Sequence, residues 1–261
     1  MKGKTFYIGL LFIALTSLTA AAETITLVAD EWPPFNAKPD SDAEGYMVDI
    51  ARAVFEAKGI SVEYRNMPWK RALVGTRSGN FTGAIGASKN DAQGFIFPEE
   101  ELARNVLSFY VRKGDSWRFN GLESIKEIRI GTIGGYDYRR WLNDYIQANI
   151  ENSDKVQVIM GDAPLERNIQ KLLAGRVDVV VDTEASIRWV AKRLGVLDEI
   201  EAAGYGKEPS YCYIAFSPGL PKSPMYAKLL SNGIVELRAN GKLQKILDKY
   251  GVFDWKPGQF Q

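Results

Sequence analysis

Residues Arg129–Tyr136 read R-I-G-T-I-G-G-Y. The run begins as the short apolar stretch of a buried strand and stops at two glycines, which suit a chain turning sharply into a helix. Beyond it, helical spacing runs from about Tyr138 to Ala148, and Val156–Met160 reads as a strand. Leu165–Ala174 then reads as a helix ending at Gly175, Val177–Val181 as a strand, and Glu184–Leu194 as a helix. Alternation of this kind predicts a parallel sheet with helices on its faces, because parallel neighbours need a crossover element between them.

The same grammar already stands upstream. Thr24–Ala29, Ser61–Asn66 and Phe81–Ala87 read as strands, and Tyr46–Lys58 and Trp69–Arg77 as helices. The first helix carries Val48, Ala51 and Phe55 at helical spacing and meets Gly59, a natural left-handed stop. The restart at Arg129 therefore decides the fold: the chain builds two α/β units. Extended runs flank the second unit, Asn105–Val111 before it and Tyr211–Phe216 after it. The C-terminal stretch is helical, with Tyr226, Leu230, Ile234 and Leu237 on one side of Ser223–Ala239, and Leu243–Tyr250 after Gly241. It has no strands of its own, so its apolar face must dock on a lobe. The predicted architecture is α/β with two lobes, each a mainly parallel sheet with flanking helices, joined by a two-segment hinge. Lobe 1 comprises 23–111 and 212–261 and lobe 2 comprises 112–211, with crossings near Val111 and Tyr211. Open parallel sheets bind solutes beyond the carboxyl ends of their strands, so the site is expected between the lobes.

Lys2 and Lys4 precede an apolar run, Phe6–Ala14, and the small residues Ala20–Ala22 follow, the order of a secretory signal cleaved near Ala22. The apolar stretch is too short and too interrupted to span a bilayer. Residues 1–22 are thus read as a leader and the mature chain as periplasmic. The formal charge of +1 falls to −1 without Lys2 and Lys4, which argues against a nucleic-acid or anionic-membrane surface. There is no histidine, and Cys212 is the single cysteine. An internal disulfide is therefore impossible, and the usual transition-metal ligand sets and Ser-His or Cys-His catalytic pairs are absent. No cofactor and no metal site is expected.

Several segments together resemble the extracellular solute-binding proteins of the amino-acid type, family 3, with the type II periplasmic-binding-protein fold. They are E-W-P-P-F after the first strand, G-Y-M-V-D-I-A opening the first helix, F-T-G-A-I-G-A in the third strand, and R-I-G-T-I-G-G-Y opening the second lobe. A-G-R-V-D-V-V-V-D and L-R-A-N-G-K-L-Q-K-I-L-D-K-Y-G complete the set. Each is weak alone; in this order they cover essentially the whole mature chain. The resemblance implies a protein that traps a small polar molecule between closing lobes and delivers it to a membrane transporter permease; a monomer is expected. It also implies an arginine shortly after the third strand to grip an amino-acid carboxylate. Here that stretch reads Ser88-Lys89-Asn90-Asp91-Ala92-Gln93, with Gln93 at the arginine's place, and glutamine lacks the charged two-pronged fork. Asp182 matches the family's acidic acceptor for the ligand's amino group, although it is also placed to cap the following helix.

The remaining candidates come from loops at strand ends. In D-E-W-P-P-F-N, Asp30–Asn36, two prolines stiffen a loop bearing Trp32 and Phe35, which offer a flat wall for stacking or alternatively cover the core edge. Tyr46 belongs with the site or packs beneath that loop. Trp69 stands in a strand-to-helix loop, and Arg71 beside it is either a substitute clamp or a solvated helix residue. Ser88 and Lys89 are further candidates, Lys89 as a cation or as ordinary surface. Gly135 and Tyr136 open a helix whose N–H groups face an anion or merely make a turn. Cys212 reads as a buried small hydrophobe and Glu99–Glu101 as a solvated run. A rival reading is an enzyme resembling cyclohexadienyl dehydratase, with Glu31, Glu166 or Glu184 supplying the acid; another is a protein that reports its ligand to a membrane receptor.

Overall fold

The computed structural model describes residues 23–256. The leader read at 1–22 lies outside them. Chain order in the first lobe is β1 (Glu23–Ala29), α1 (Tyr46–Glu56), β2 (Ile60–Asn66), α2 (Trp69–Arg77), β3 (Gly83–Ala87) and β4 (Ala103–Asn105). The second lobe contains β5 (Leu107–Arg112), α3 (Leu122–Ile125), β6 (Ile130–Ile133), α4 (Arg140–Ala148), β7 (Val156–Ile159), α5 (Pro164–Leu173), β8 (Val179–Thr183), α6 (Glu184–Leu194) and β9 (Ile200–Tyr205). The chain then returns through β10 (Ser210–Phe216) to α7 (Ser223–Ala239) and α8 (Lys242–Asp248). None of the described helices is long and apolar enough to cross a membrane.

Two five-stranded sheets result, ordered β2-β1-β3-β10-β4 and β7-β6-β8-β5-β9. The βαβ units are parallel, as read from the sequence. Each strand that has just crossed runs antiparallel to its new neighbours: β10 between β3 and β4, and β5 between β8 and β9. This corrects the lobe boundaries. The first crossing falls at Val106 and not near Val111, because Leu107, Phe109 and Val111 fill the core of the second lobe. The return spans Gly206 to Pro209, so Ser210 and Tyr211 already belong to the first sheet. The sequence reading also lacked β9, whose Ala-Ala-Gly centre has little strand propensity; pairing with β5 holds it.

The start of α1 matters for the site. No side chain caps it. Instead the N–H groups of Tyr46 and Met47 donate to Pro34 O and Phe35 O, each at 3.0 Å, so the loop after β1 satisfies the free helix end. Gly45 makes this possible: its φ is +108°, and a Cβ there would lie 2.5 Å from both Asn36 Cα and Phe35 O. The C-terminal helices dock on the first lobe as predicted, with Tyr226, Leu230, Ile234 and Leu237 in its core. The Glu99–Glu101 run is not simply solvated. Glu100 pairs with Arg238 at 3.1 Å, and Glu101 accepts from Trp255 Nε1 at 2.9 Å, which fastens the tail.

Candidate functional site

The carboxyl ends of β1, β3, β6 and β8 converge between the lobes. From the first lobe come Asp30, Trp32, Asn36, Trp69, Ser88 and Asp91; Tyr136 and Asp137 face them from the second. Asn105, Ser210 and Cys212 contribute from the hinge strands. The lobes are closed on one another, and the cavity between them encloses about 50 Å³. Contacts between the lobes border this space.

Those contacts are specific. Trp32 Nε1 donates to Asp182 Oδ1 at 2.9 Å, and the Tyr136 hydroxyl donates to Asp30 Oδ2 at 2.8 Å. The Ser88 hydroxyl lies 3.4 Å from Asp137 Oδ2, and the Trp32 and Tyr136 rings meet edge to face at 6.2 Å. Trp32 holds its place because its loop closes on itself: Trp32 N–H donates to Asn36 O at 2.7 Å and Asn36 N–H to Trp32 O at 3.1 Å. Phe35 stacks on it at 4.1 Å and 12°, and Tyr46 packs on Phe35 at 5.2 Å.

Of the three aromatics in that column, only Trp32 reaches the cavity. Phe35 and Tyr46, read as site candidates, are core residues at 2% exposure each, and they act as its backing. Trp69 does line the cavity, at the first residue of α2. Arg71 does not. Two residues further on, it is turned about 200° around the helix from Trp69 and is exposed on the outer face. Lys89 is also outside: the Ser88 hydroxyl accepts from Asp91 N–H at 3.1 Å, and this turn aims Ser88 and Asp91 inward and Lys89 outward, with Nζ 4.9 Å above the Tyr213 ring. Gly135, φ +87°, is exposed and off the cavity, while its neighbour Tyr136 is in it. Gln93 is exposed, its carbonyl accepting from Arg77 Nη2 at 2.7 Å.

Asp182 is not the cap of α6. Thr183 is, accepting from Ser186 N–H at 3.1 Å, which leaves Asp182 turned to the cleft. Burial pushes the Asp182 carboxyl up to about 7, against the opposing effect of its Trp32 and Thr183 donors. Hydrogen bonds to a charged acceptor are worth about 1.5–3 kcal/mol each, so loss of water outweighs two of them here. Burial likewise raises Asp30 to about 6, although Tyr136 donates to it, and Asp91 to about 6 despite its bonds from Ser88. The Cys212 thiol is pushed up to about 12 by burial, so it is no nucleophile at neutral pH.

Asp30, Asn36, Asp91 and Asp137 were missed from the sequence, along with Arg139. Asp30 stood at the carboxyl end of β1, where the strand-end rule could have found it, and Ser88-x-x-Asp91 has the spacing of a capping turn. Arg139 gave no signal. It is 7% exposed with φ +75°, and its guanidinium donates to Asn105 O at 2.9 Å and Glu208 O at 3.2 Å, one carbonyl at each crossing. None of Glu31, Glu166 and Glu184, weighed as enzyme acids, lines this cavity.

Residues 25–115 match the model of the bacterial extracellular solute-binding proteins, family 3. A search of curated proteins gives no match. Among solved structures, one from work on glutathione import through GshT and the cystine ABC importer TcyBC of Streptococcus mutans is 21% identical, with a TM-score of 0.72 over 88% of this chain and 95% of that one. A histidine kinase sensor domain with similarity to periplasmic binding proteins is 20% identical, with a TM-score of 0.70 over 88% and 97%. An ancestral amino acid-binding protein, a precursor of cyclohexadienyl dehydratase, is 16% identical, with a TM-score of 0.66 over 87% and 94%. The resemblance read from the motifs therefore holds: the match to family 3 covers the N-terminal part of the first lobe and, past the crossing, β5, and the two-lobed fold is shared along the described chain.

Proposed function

We propose that this chain is a periplasmic solute-binding protein, exported with loss of its leader, that closes two lobes on a small polar metabolite and presents it to an ABC transporter permease. The observation that carries the reading is the bond from Trp32 to Asp182 across the cleft. A bond between lobes exists only when they are shut, and its partners are the aromatic wall and the carboxylate that a trapped solute would touch. The open form admits the solute to the first lobe, against Trp32 and Trp69. The second lobe then brings Tyr136 and Asp182 over it, and closure follows to the extent that the solute binds the shut form better. The structure from work on glutathione import in S. mutans supports the transport reading; the sensor domain shows that the same fold also serves signalling. Isothermal titration of the mature chain against amino acids, peptides, amines and organic acids, with small-angle scattering of the same samples, tests it. Saturable binding that compacts the particle is expected. Binding without compaction overturns the trap.

One observation favours a second reading. Three carboxyls with raised pKa, Asp30, Asp91 and Asp182, stand at the cleft, as acid–base chemistry requires, and one structural neighbour is a dehydratase precursor. Turnover of prephenate or arogenate by the purified protein would establish it.

A further inference from the structure

Three oxygens at or beside this cavity lack a partner. Asp182 is 3% exposed, and its Oδ2 has no hydrogen-bond partner; Asn36 is 1% exposed, lines the cavity, and its Oδ1 has none either. Asn105, also in the lining, leaves its Oδ1 unpaired. The two amide oxygens are acceptors, as is the Asp182 oxygen once its carboxyl is ionised, and a buried acceptor is satisfied only by something that brings N–H or O–H groups.

Charge points the same way. Asp30, Asp91 and Asp137 line the cavity and Asp182 adjoins it, whereas no lysine or arginine is in the lining. The nearest buried cation, Arg139, lies outside the lining, offsets part of the Asp91 and Asp137 charge, and has its fork committed to the Asn105 and Glu208 carbonyls. Arg71, Lys89 and Gln93 face solvent. A carboxylate placed here would find the Ser88 hydroxyl and the Trp32 indole as neutral donors, and several carboxylates against it. An ammonium group would find the reverse, with the faces of Trp32 and Trp69 to attract it and to cover its methylenes.

We propose that the solute held between the lobes is an organic cation carrying primary amine or guanidine groups and no carboxylate, gripped by Asp182, Asp30 and Asp91 and walled by Trp32 and Trp69. This rests on the inter-lobe binding reading and narrows it to a ligand chemistry. The missing carboxylate clamp then belongs to the specificity of the site: Gln93 stands at the arginine's place, and the Arg77 guanidinium beside it bonds the Gln93 carbonyl and is not in the cavity lining.

Matched pairs that differ by one carboxylate test the idea without any mutation: cadaverine against lysine and agmatine against arginine, titrated calorimetrically into the mature chain. Putrescine, spermidine, glutamate and succinate complete the panel. Each amine is expected to bind at least tenfold more tightly than its amino-acid partner and to compact the particle in scattering. Asp182→Asn, with Asp91→Asn as an independent second variant, is expected to weaken cadaverine binding at least tenfold, with unfolding curves confirming that each variant folds. Tighter binding of lysine or arginine, or binding of glutamate or succinate, overturns the cation assignment while leaving the two-lobed trap intact. Absence of heat and of compaction with every compound overturns both.

Discussion

Trp32 and Asp182 are 150 residues apart in sequence, and the indole N–H of the one donates to the Oδ1 of the other at 2.9 Å. The bond joins the lobes through a group whose charge changes near neutrality, so closure of the unliganded chain should depend on pH. The Asp182 carboxyl rises from 3.8 to about 7 in the closed form, mainly through burial, with Asp30 nearby adding to the effect. A carboxyl raised on closure holds a proton that the solvated form has released. Its contribution to the closed form is therefore fully present below about pH 4 and is lost as pH climbs through about 7. Asp30 and Asp91, each raised to about 6, act in the same direction over a lower window. Scattering of the ligand-free protein should show a compact particle at pH 5 and a more open one at pH 8, and Asp182→Asn should remove about half of that difference, Asp30 and Asp91 carrying the rest. A radius of gyration unchanged from pH 5 to pH 8 contradicts the assignment.

The aromatic column separates binding from support. Trp32→Phe keeps a ring in the stack and removes the indole N–H, so it should leave the unfolding free energy within about 1 kcal/mol and weaken solute binding at least tenfold. Phe35→Ala empties a buried site behind it and should cost about 3–5 kcal/mol in denaturant unfolding. The reverse pattern, a stable Phe35→Ala and a collapsed Trp32→Phe, would place the two residues wrongly.

Much of this architecture was readable from residues alone, because apolar periodicity reports which faces are buried. Glu184–Leu194 matches α6 end to end, and the docking side of α7 was read residue by residue. Periodicity does not report which sheet a strand joins. Val106 looks like part of one extended run with its neighbours, yet the lobes divide there. At the site the legible part was the large ring next to a proline or at a strand end, which gave Trp32, Trp69 and Tyr136. Arg71 and Lys89 were drawn in by charge, but direction around a helix or turn decides where a side chain goes, and one-dimensional spacing gave no hint of it for Lys89. Asp91 and Asn36 were hidden for the opposite reason, since short polar residues in loops look like ordinary turn formers.

Gly45 and Gly59 offer a controlled comparison. Both have positive φ, +108° and +74°. A Cβ at Gly59 meets nothing within 4 Å, so Gly59→Ala carries only the cost of a left-handed backbone, about 1–2 kcal/mol. At Gly45 the added carbon would collide with the backbone of Phe35 and Asn36, and the loop carrying Trp32 would have to leave the end of α1. Gly45→Ala should cost at least about 2 kcal/mol more than Gly59→Ala in thermal or denaturant unfolding. It should also weaken solute binding, which Gly59→Ala should not. Equal costs at the two positions would mean that the loop is not pinned to the helix.

Arg139 tests whether the hinge is held by side chain or by backbone alone. Its guanidinium reaches a carbonyl of each crossing segment, Asn105 O and Glu208 O, from a loop that also carries Asp137 into the cleft. Burial pushes its pKa down, and its backbone sits at φ +75°, so the position carries two costs that the fork's bonds and the nearby Asp137 and Asp91 charges offset. Lysine keeps the charge but cannot serve two carbonyls in fixed geometry, so Arg139→Lys should lose about 1–3 kcal/mol of stability. Arg139→Gly and Arg139→Ala both remove the fork, but glycine also relieves the left-handed backbone. Glycine should therefore be the more stable of the two by about 1 kcal/mol, and both should fall below the parent protein. If Arg139→Gly is as stable as the parent and scatters as an equally compact particle, the guanidinium contributes nothing to the hinge.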